Sequence, residues 1–325
     1  MPYSHLSIEE RETIDRMHYS GCPQSKIADA LKRSPSTISR ELSRNRNSTG
    51  YSARRAQCDS ERRRRERPID RKLDNPELNA AVRNGLAREW SPEQIAGRQR
   101  TEYPEDRTRH LSHQTIYRWL ERACPHRSHF ESFLRHGRYG KRGASDQRSG
   151  PIANRVPIAK RPEVVAGRSR YGDWEGDTVV GSGHQGAVAT LVERKSGYLV
   201  AGRMPDGRSA SLNRAAQRVL SPLPSDLLHT LTVDNGAEFA RHESLSRALG
   251  MPIYFADPYC SNQRALNENT NGLLRQYYPK GTSFLDITHQ DLARVVDRLN
   301  NRPRKRLNYQ TPREVLLDAG FALEM

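Results

Sequence analysis

The chain has 325 residues, enough for two or three domains, and its 54 Lys and Arg against 38 Asp and Glu leave a formal charge of +16. Only 34% of residues are hydrophobic, and no apolar run approaches the ~20 residues of a membrane helix. The cysteines, Cys22, Cys58, Cys124 and Cys260, form no CxxC pair, which argues against a disulfide scaffold or a structural zinc site and for reduced cytosolic thiols. The opening residues have neither a basic nor an apolar leader segment, so secretion is not expected, and a cytoplasmic protein with no membrane partner is. Residues 1–150 carry 31 basic and 20 acidic side chains, against 23 and 18 in 151–325. A polyanion is the simplest partner for such a balance, and nucleic acid fits it better than a membrane surface.

In chain order, residues 7–20 read as a helix capped by Ser7, with Glu9 and Glu10 in its first turn and Gly21 as its stop. A second short helix covers 24–32, with Ile27, Ala28 and Leu31 at helical spacing. After Arg33-Ser34-Pro35, residues 36–45 make a third, with Ile38 and Leu42 inward and Ser36, Thr37, Ser39, Arg40 and Arg44 outward. This succession reads either as a plain three-helix bundle or as a helix-turn-helix whose last helix enters the major groove. The basic, hydroxyl-rich outer face favours the second reading. ERRRRERPIDRK, Glu61 to Lys72, reads as a solvated helix or linker.

A comparable pattern then returns. Residues 75–89 form a helix with Leu78, Val82 and Leu86 on one face, and SPEQIAGRQR starts another with Ser91 as cap and Pro92 first. Beyond a longer loop, SHQTIYRWLERA turns Ile116, Trp119 and Leu120 inward and His113, Gln114, Thr115 and Arg118 outward, a second helix-turn-helix candidate. From about 136 to 170, Gly, Ser, Pro and basic residues suggest a linker that tracks phosphates. The expected division is 1–50 and 74–136 as DNA-binding modules, 51–73 and 137–170 as basic linkers, and 171–325 as a catalytic domain.

In the C-terminal half the period becomes that of strands. Residues 173–181, 186–194 and 197–204 are three strand candidates, followed by a helix at 209–220, a strand ending at Asp234, a helix at 237–249 and a short strand at 251–256. Antiparallel strands followed by alternating helix and strand fit an α/β ribonuclease H-like fold. Asp177 lies within the first strand and Asp234 at the end of the fourth, so if those strands are neighbours their carboxylates converge. Glu268 lies 34 positions beyond Asp234 in a helix candidate. Three hard oxygen ligands would select magnesium or manganese over zinc. An Asp before Asn-Gly is equally a plain turn, and Glu268 a solvated helix residue.

The strings WEGD, VDNGAEF, DPY, NENTNGLLRQYYPKG and NNRPRKRLNYQTPREVL, with SPSTISRELSRN near the start, resemble the insertion sequence 30 family of bacterial transposases. The resemblance implies a ribonuclease H-like fold with a catalytic Asp-Asp-Glu triad on Asp177, Asp234 and Glu268, holding two Mg2+ ions for which Mn2+ can substitute. It implies N-terminal modules that bind the terminal inverted repeats, and cleavage of element ends followed by strand transfer into target DNA. Arg275, seven residues after Glu268, is counted with the catalytic residues, and Arg275 and Lys280 become candidate contacts to DNA phosphates. Synapsis of two ends implies a homodimer or higher oligomer. Relatives commonly carry Trp near Asn262, Gly at Ala265 and Ser or Thr at Leu266, a loop that differs here. The rival readings are a catalytically inactive helix-turn-helix regulator derived from a transposase, and a nuclease without strand transfer.

Overall fold

A computed structural model describes residues 5–48, 50–65, 72–122, 152–258 and 260–322, and the chain falls into two units, Met1–Arg71 and Lys72–Met325. Residues 123–136 of the expected second module, residues 137–151 of the linker after it, and Cys124 lie outside the described residues.

In the first unit, local caps set the helices. Helix α1 (Ile8–Tyr19) starts in a capping box: the Glu10 amide donates to the Ser7 hydroxyl and the Ser7 amide to the Glu10 carboxylate. Helices α2 (Gln24–Ala30) and α3 (Pro35–Asn45) follow, the latter capped by Ser34 with Pro35 in its first turn. Ile14, Ile27, Ile38 and Leu42 close the core between them. Residues 53–65 do not behave as a linker, although their charge suggests one. They form helix α4 (Ala53–Arg65), whose Ala53 and Ala56 are buried. The Ala53 amide donates to Asp15 of α1 at 2.8 Å, and the buried Arg11 of α1 donates to Gln57 and, on α3, to Glu41. Small apolar residues on one face let this very basic helix pack.

The second unit begins with α5 (Pro76–Ala87), α6 (Pro92–Glu102) and α7 (His113–Arg122) around Leu78, Val82, Leu86, Ile95, Ile116 and Trp119. These helices pack within the same unit as the sheet. Arg98 of α6 forks onto both carboxylate oxygens of Glu314 at 2.6 Å, and Gln94 donates to the Pro303 carbonyl at 2.8 Å. Gly97 faces the Tyr309 ring so closely that a Cβ there would lie 2.2 Å from it.

The sheet has six strands: β1 (Val156–Pro157), β2 (Asp173–Val180), β3 (Ala187–Glu193), β4 (Leu199–Met204), β5 (Thr230–Val233) and β6 (Ile253–Phe255). Their order is β1-β6-β5-β2-β3-β4, antiparallel over β2-β3-β4 and parallel over β2-β5-β6-β1. Interspersed are α8 (Glu163–Ala166), α9 (Ser209–Leu220), α10 (His242–Leu249), α11 (Ala265–Tyr277), α12 (His289–Asn300) and α13 (Pro312–Asp318). One sheet face buries Trp174, Leu191 and Leu231 against Leu212 and Ala216 of α9 and Leu245 of α10. The other buries Val179, Val188 and Val192 against Leu266, Leu273 and Leu274 of α11 and Leu299 of α12. This is the ribonuclease H-like layering expected from the chain order.

Two further expectations are corrected. Residues 156–157, read as linker, add an edge strand, and nearby Val165 is fully buried. The helix expected over 237–249 is interrupted: Ala237–Phe239 forms a single 3-10 turn that buries Phe239, and α10 starts only at His242. Among the described residues no helix is long and apolar enough to cross a membrane.

Candidate active site

Strand alternation puts Glu175, Asp177 and Val179 on the sheet face that carries α11. Helical spacing puts Asn267 and Asn271, four residues apart, on the facing side of that helix. The two rows interlock. The Asn267 side-chain amide donates to the Glu175 carbonyl at 2.8 Å and the Thr190 carbonyl at 3.1 Å, and its backbone amide donates to the Glu175 carboxylate at 3.0 Å. Thr190, directly opposite Asp177 on β3, donates to Asn267 or Asn271, at 3.1 and 2.8 Å. Asn271 donates to Asp177 Oδ2 at 3.0 Å. Beneath this row, buried Glu175 pairs with the guanidinium of buried Arg194. The helix carrying Glu268 is therefore held to β2 and β3 by buried hydrogen bonds as well as by apolar packing.

Asp177 and Asp234 converge as the sequence suggested, because β2 and β5 are hydrogen-bonded parallel neighbours. Each aspartate spends Oδ1 on a nearby backbone amide, Thr178 at 2.8 Å and Gly236 at 2.9 Å. Each turns Oδ2 towards Arg264, whose guanidinium lies 3.5 Å from Asp177 and 3.0 Å from Asp234. Glu238, in the turn after β5, accepts a 2.7 Å hydrogen bond from the Thr178 hydroxyl. Burial foremost pushes the Asp177 carboxyl up to about 6; Arg264 opposes the rise, while Asp234 and Glu238 add to it.

Glu268 sits in the first turn of α11, exposed. Among the described residues no three His, Cys, Asp or Glu side chains are grouped closely enough to hold one metal ion. The structure thus brings Asp177 and Asp234 together, with Glu268 on the adjoining helix and Arg264 against both aspartates. The donor chemistry nonetheless fits a divalent cation: hard carboxylate oxygens converge, and burial and neighbouring carboxylates disfavour the charge on Asp177.

Arg275, at the end of α11, donates to the Val180 carbonyl at 2.7 Å and stacks over Phe284 with 5.6 Å to the ring centre. A phosphate contact from it would draw on its remaining N–H donors. Lys280 is exposed in the following turn. On α3, Ser36, Ser39, Arg40 and Arg44 are exposed, while partly buried Thr37 and Ser36 both turn their hydroxyls to Ser34. On α7, His113, Gln114 and Arg118 are exposed and Thr115 joins the Ser112 cap. Arg264, Glu238, Asn267 and Asn271 were not singled out from the sequence. The available signals were an Arg four residues before Glu268, a Glu four after Asp234, and two Asn four apart.

Residues 2–45 match a family described as Helix-turn-helix domain. The chain is 37% identical over 314 residues to the transposase for insertion sequence element IS4351 of Bacteroides fragilis, covering 95% of this chain and 94% of that one. It is 40% identical over 333 residues to the transposase InsI for insertion sequence element IS30A of Escherichia coli (strain K12), covering 98% and 85%. Among solved structures, the catalytic core domain of BIV integrase aligns with a TM-score of 0.36 at 20% identity, over 46% of this chain and 95% of that one. With matched residues running from the first helix-turn-helix through the strand and helix that carry the carboxylates, the chain belongs to the insertion sequence 30 family of transposases.

Proposed function

We propose that this chain binds the terminal inverted repeats of its element, frees the 3′ ends, and joins them to target DNA. Water attacks the end phosphodiester and releases a 3′-OH. That hydroxyl then attacks a target phosphodiester, forming one P–O bond as another breaks. The observation that carries the reading is the convergence of Asp177 and Asp234 on neighbouring parallel strands, beside a helix bearing Glu268 that Asn271 ties to Asp177. Asp177, Asp234 and Glu268 would hold the divalent cations, Mg2+ or Mn2+, two per site. Bound there, such cations supply Lewis acidity to the reacting phosphodiester oxygens.

The protein's own part is to position and to bind. The Thr178 and Gly236 amides fix the rotamers of the two aspartates, and the Asn271 amide fixes the inner oxygen of Asp177. The exposed residues of α3 (Ser36, Ser39, Arg40, Arg44), with Thr37 at its start, are assigned to the inverted repeats. His113, Gln114, Thr115 and Arg118 of α7 are assigned to a second part of the same site, and Arg275 and Lys280 to phosphates near the reacting strand. Two ends brought together require at least a homodimer in the synaptic complex.

The test is strand transfer with pre-cleaved ends in magnesium. Asp177→Ala, Asp234→Ala and Glu268→Ala should each abolish cleavage and joining while end binding persists. Normal joining by Glu268→Ala would refute the triad. Wild-type protein that binds ends but never joins them would point to a regulator, and cleavage without joining to a nuclease.

A further inference from the structure

Arg264 closes the 3-10 turn Ser261–Arg264 that leads into α11, and only 8% of it is exposed. A guanidinium so enclosed needs charged partners to offset its lost hydration. It finds them in Asp234 Oδ2 at 3.0 Å and Asp177 Oδ2 at 3.5 Å, with the Gly176 carbonyl at 3.3 Å. The flat fork of an Arg can serve two carboxylates at once, which a Lys ammonium does less well. Both Oδ1 atoms are already committed to backbone amides. Both Oδ2 atoms face Arg264, that of Asp177 also accepting from Asn271 at 3.0 Å, and their remaining lone pairs are the sites a cation shared by Asp177 and Asp234 would use.

We infer that Arg264 is a built-in counter-ion that competes with the divalent cation for Asp177 and Asp234, so that loading the site exchanges a guanidinium for metal. This rests on the reading of the two aspartates as metal ligands. Asp234 and Glu238 both lie near enough to Asp177 to disfavour its charge, and without a cation that repulsion would act between β2 and the turn after β5. Arg264 holds that charge in register. Asn267 pins α11 to the sheet independently of Arg264, through the Glu175 and Thr190 carbonyls, so the exchange is a movement of side chains over a fixed helix. Arg264 is thus a positioning residue that sets how tightly metal is held.

The test measures Mn2+ binding to the full-length protein by calorimetry, beside thermal melts with and without Mn2+, for wild type, Arg264→Gln, Arg264→Lys and Asp234→Asn. Removing a competing charge-assisted interaction should tighten Mn2+ binding by roughly tenfold or more in Arg264→Gln. The same variant should melt lower without metal and gain more from Mn2+ than wild type does. Arg264→Lys, which keeps the charge but not the fork, should fall between the two. Wild-type or weaker Mn2+ affinity in Arg264→Gln overturns the inference. Should that variant fail to fold, Arg264→Lys decides by the same criterion. Asp234→Asn separates the premises: its loss of Mn2+ binding upholds the ligand reading whatever the Arg264 variants do. Wild-type binding by Asp234→Asn would overturn the ligand reading itself.

Discussion

Replacing Asn267 by Ala tests how helix α11 is held to the sheet. The buried Asn267 side chain gives two hydrogen bonds, to the Glu175 and Thr190 carbonyls, and its oxygen is within reach of the Thr190 hydroxyl. Each such bond contributes about 1 kcal/mol net, and more where the abandoned partner stays buried, so the loss should be roughly 2–4 kcal/mol. For a unit of this size each kcal/mol moves the melting temperature by about 2–4 °C, which places the expected drop at roughly 5–15 °C. The damage should also reach the chemistry. Thr190 lies between Asn267 and Asn271, and Asn271 orients Asp177. A ~1.4 kcal/mol loss of that orientation in the transition state would slow joining about tenfold. Thermal unfolding and strand transfer with pre-cleaved ends measure the two effects. An Asn267→Ala protein that melts within about a degree of wild type and joins at the wild-type rate would refute this account of how Glu268 is positioned.

Two further outcomes are expected. Arg40 and Arg44 are exposed, one helical turn apart on α3, so their double Ala variant should keep the wild-type melting temperature and lose the footprint at element ends. Its salt dependence of binding should flatten by about 0.9 in log–log slope for each phosphate left without its arginine, and an unchanged footprint would exclude α3 as the reading helix. The second concerns pH: Asp177 is raised from 3.8 to about 6, so below about 6 it is protonated in the native state and cannot ligate. Mn2+ binding and joining should therefore fall as pH drops through about 6. The sign for stability is opposite, since between 3.8 and about 6 the native state binds more protons than the unfolded chain and this group alone favours folding as pH falls. Mn2+ binding that stays level down to about pH 5 would contradict the raised value.

Much of the fold was legible because its signals are local. Caps at Ser7 and Ser91 mark helix starts, Gly21 marks a stop, and the strand-like pattern over residues 173–180 marks a strand. Charge misled where it outweighed a sparse apolar face. Two buried alanines, with the hydrogen bonds of Ala53 to Asp15 and of Arg11 to Gln57, fold α4 onto its neighbours, and a two-residue pairing makes β1 a strand. The reading of 237–249 as one helix failed because the burial of Phe239 in the turn after Asp234 outweighs helical continuity.

The sequence by itself determined the order of most helices and strands, the basic outer face of α3, and, through motif resemblance, the carboxylates proposed to carry the chemistry. Only the tertiary structure decided what the acidic side chains of this region touch. Asp177 meets Asn271 94 positions away, Asp234 meets Arg264 30 positions away, and Glu175 meets Asn267 92 positions away. Such partners depend on which strands are neighbours and on which face of α11 lies against them. Periodicity within a window of a few turns carries no information about either, because sheet order and helix docking are settled by burial across the whole domain.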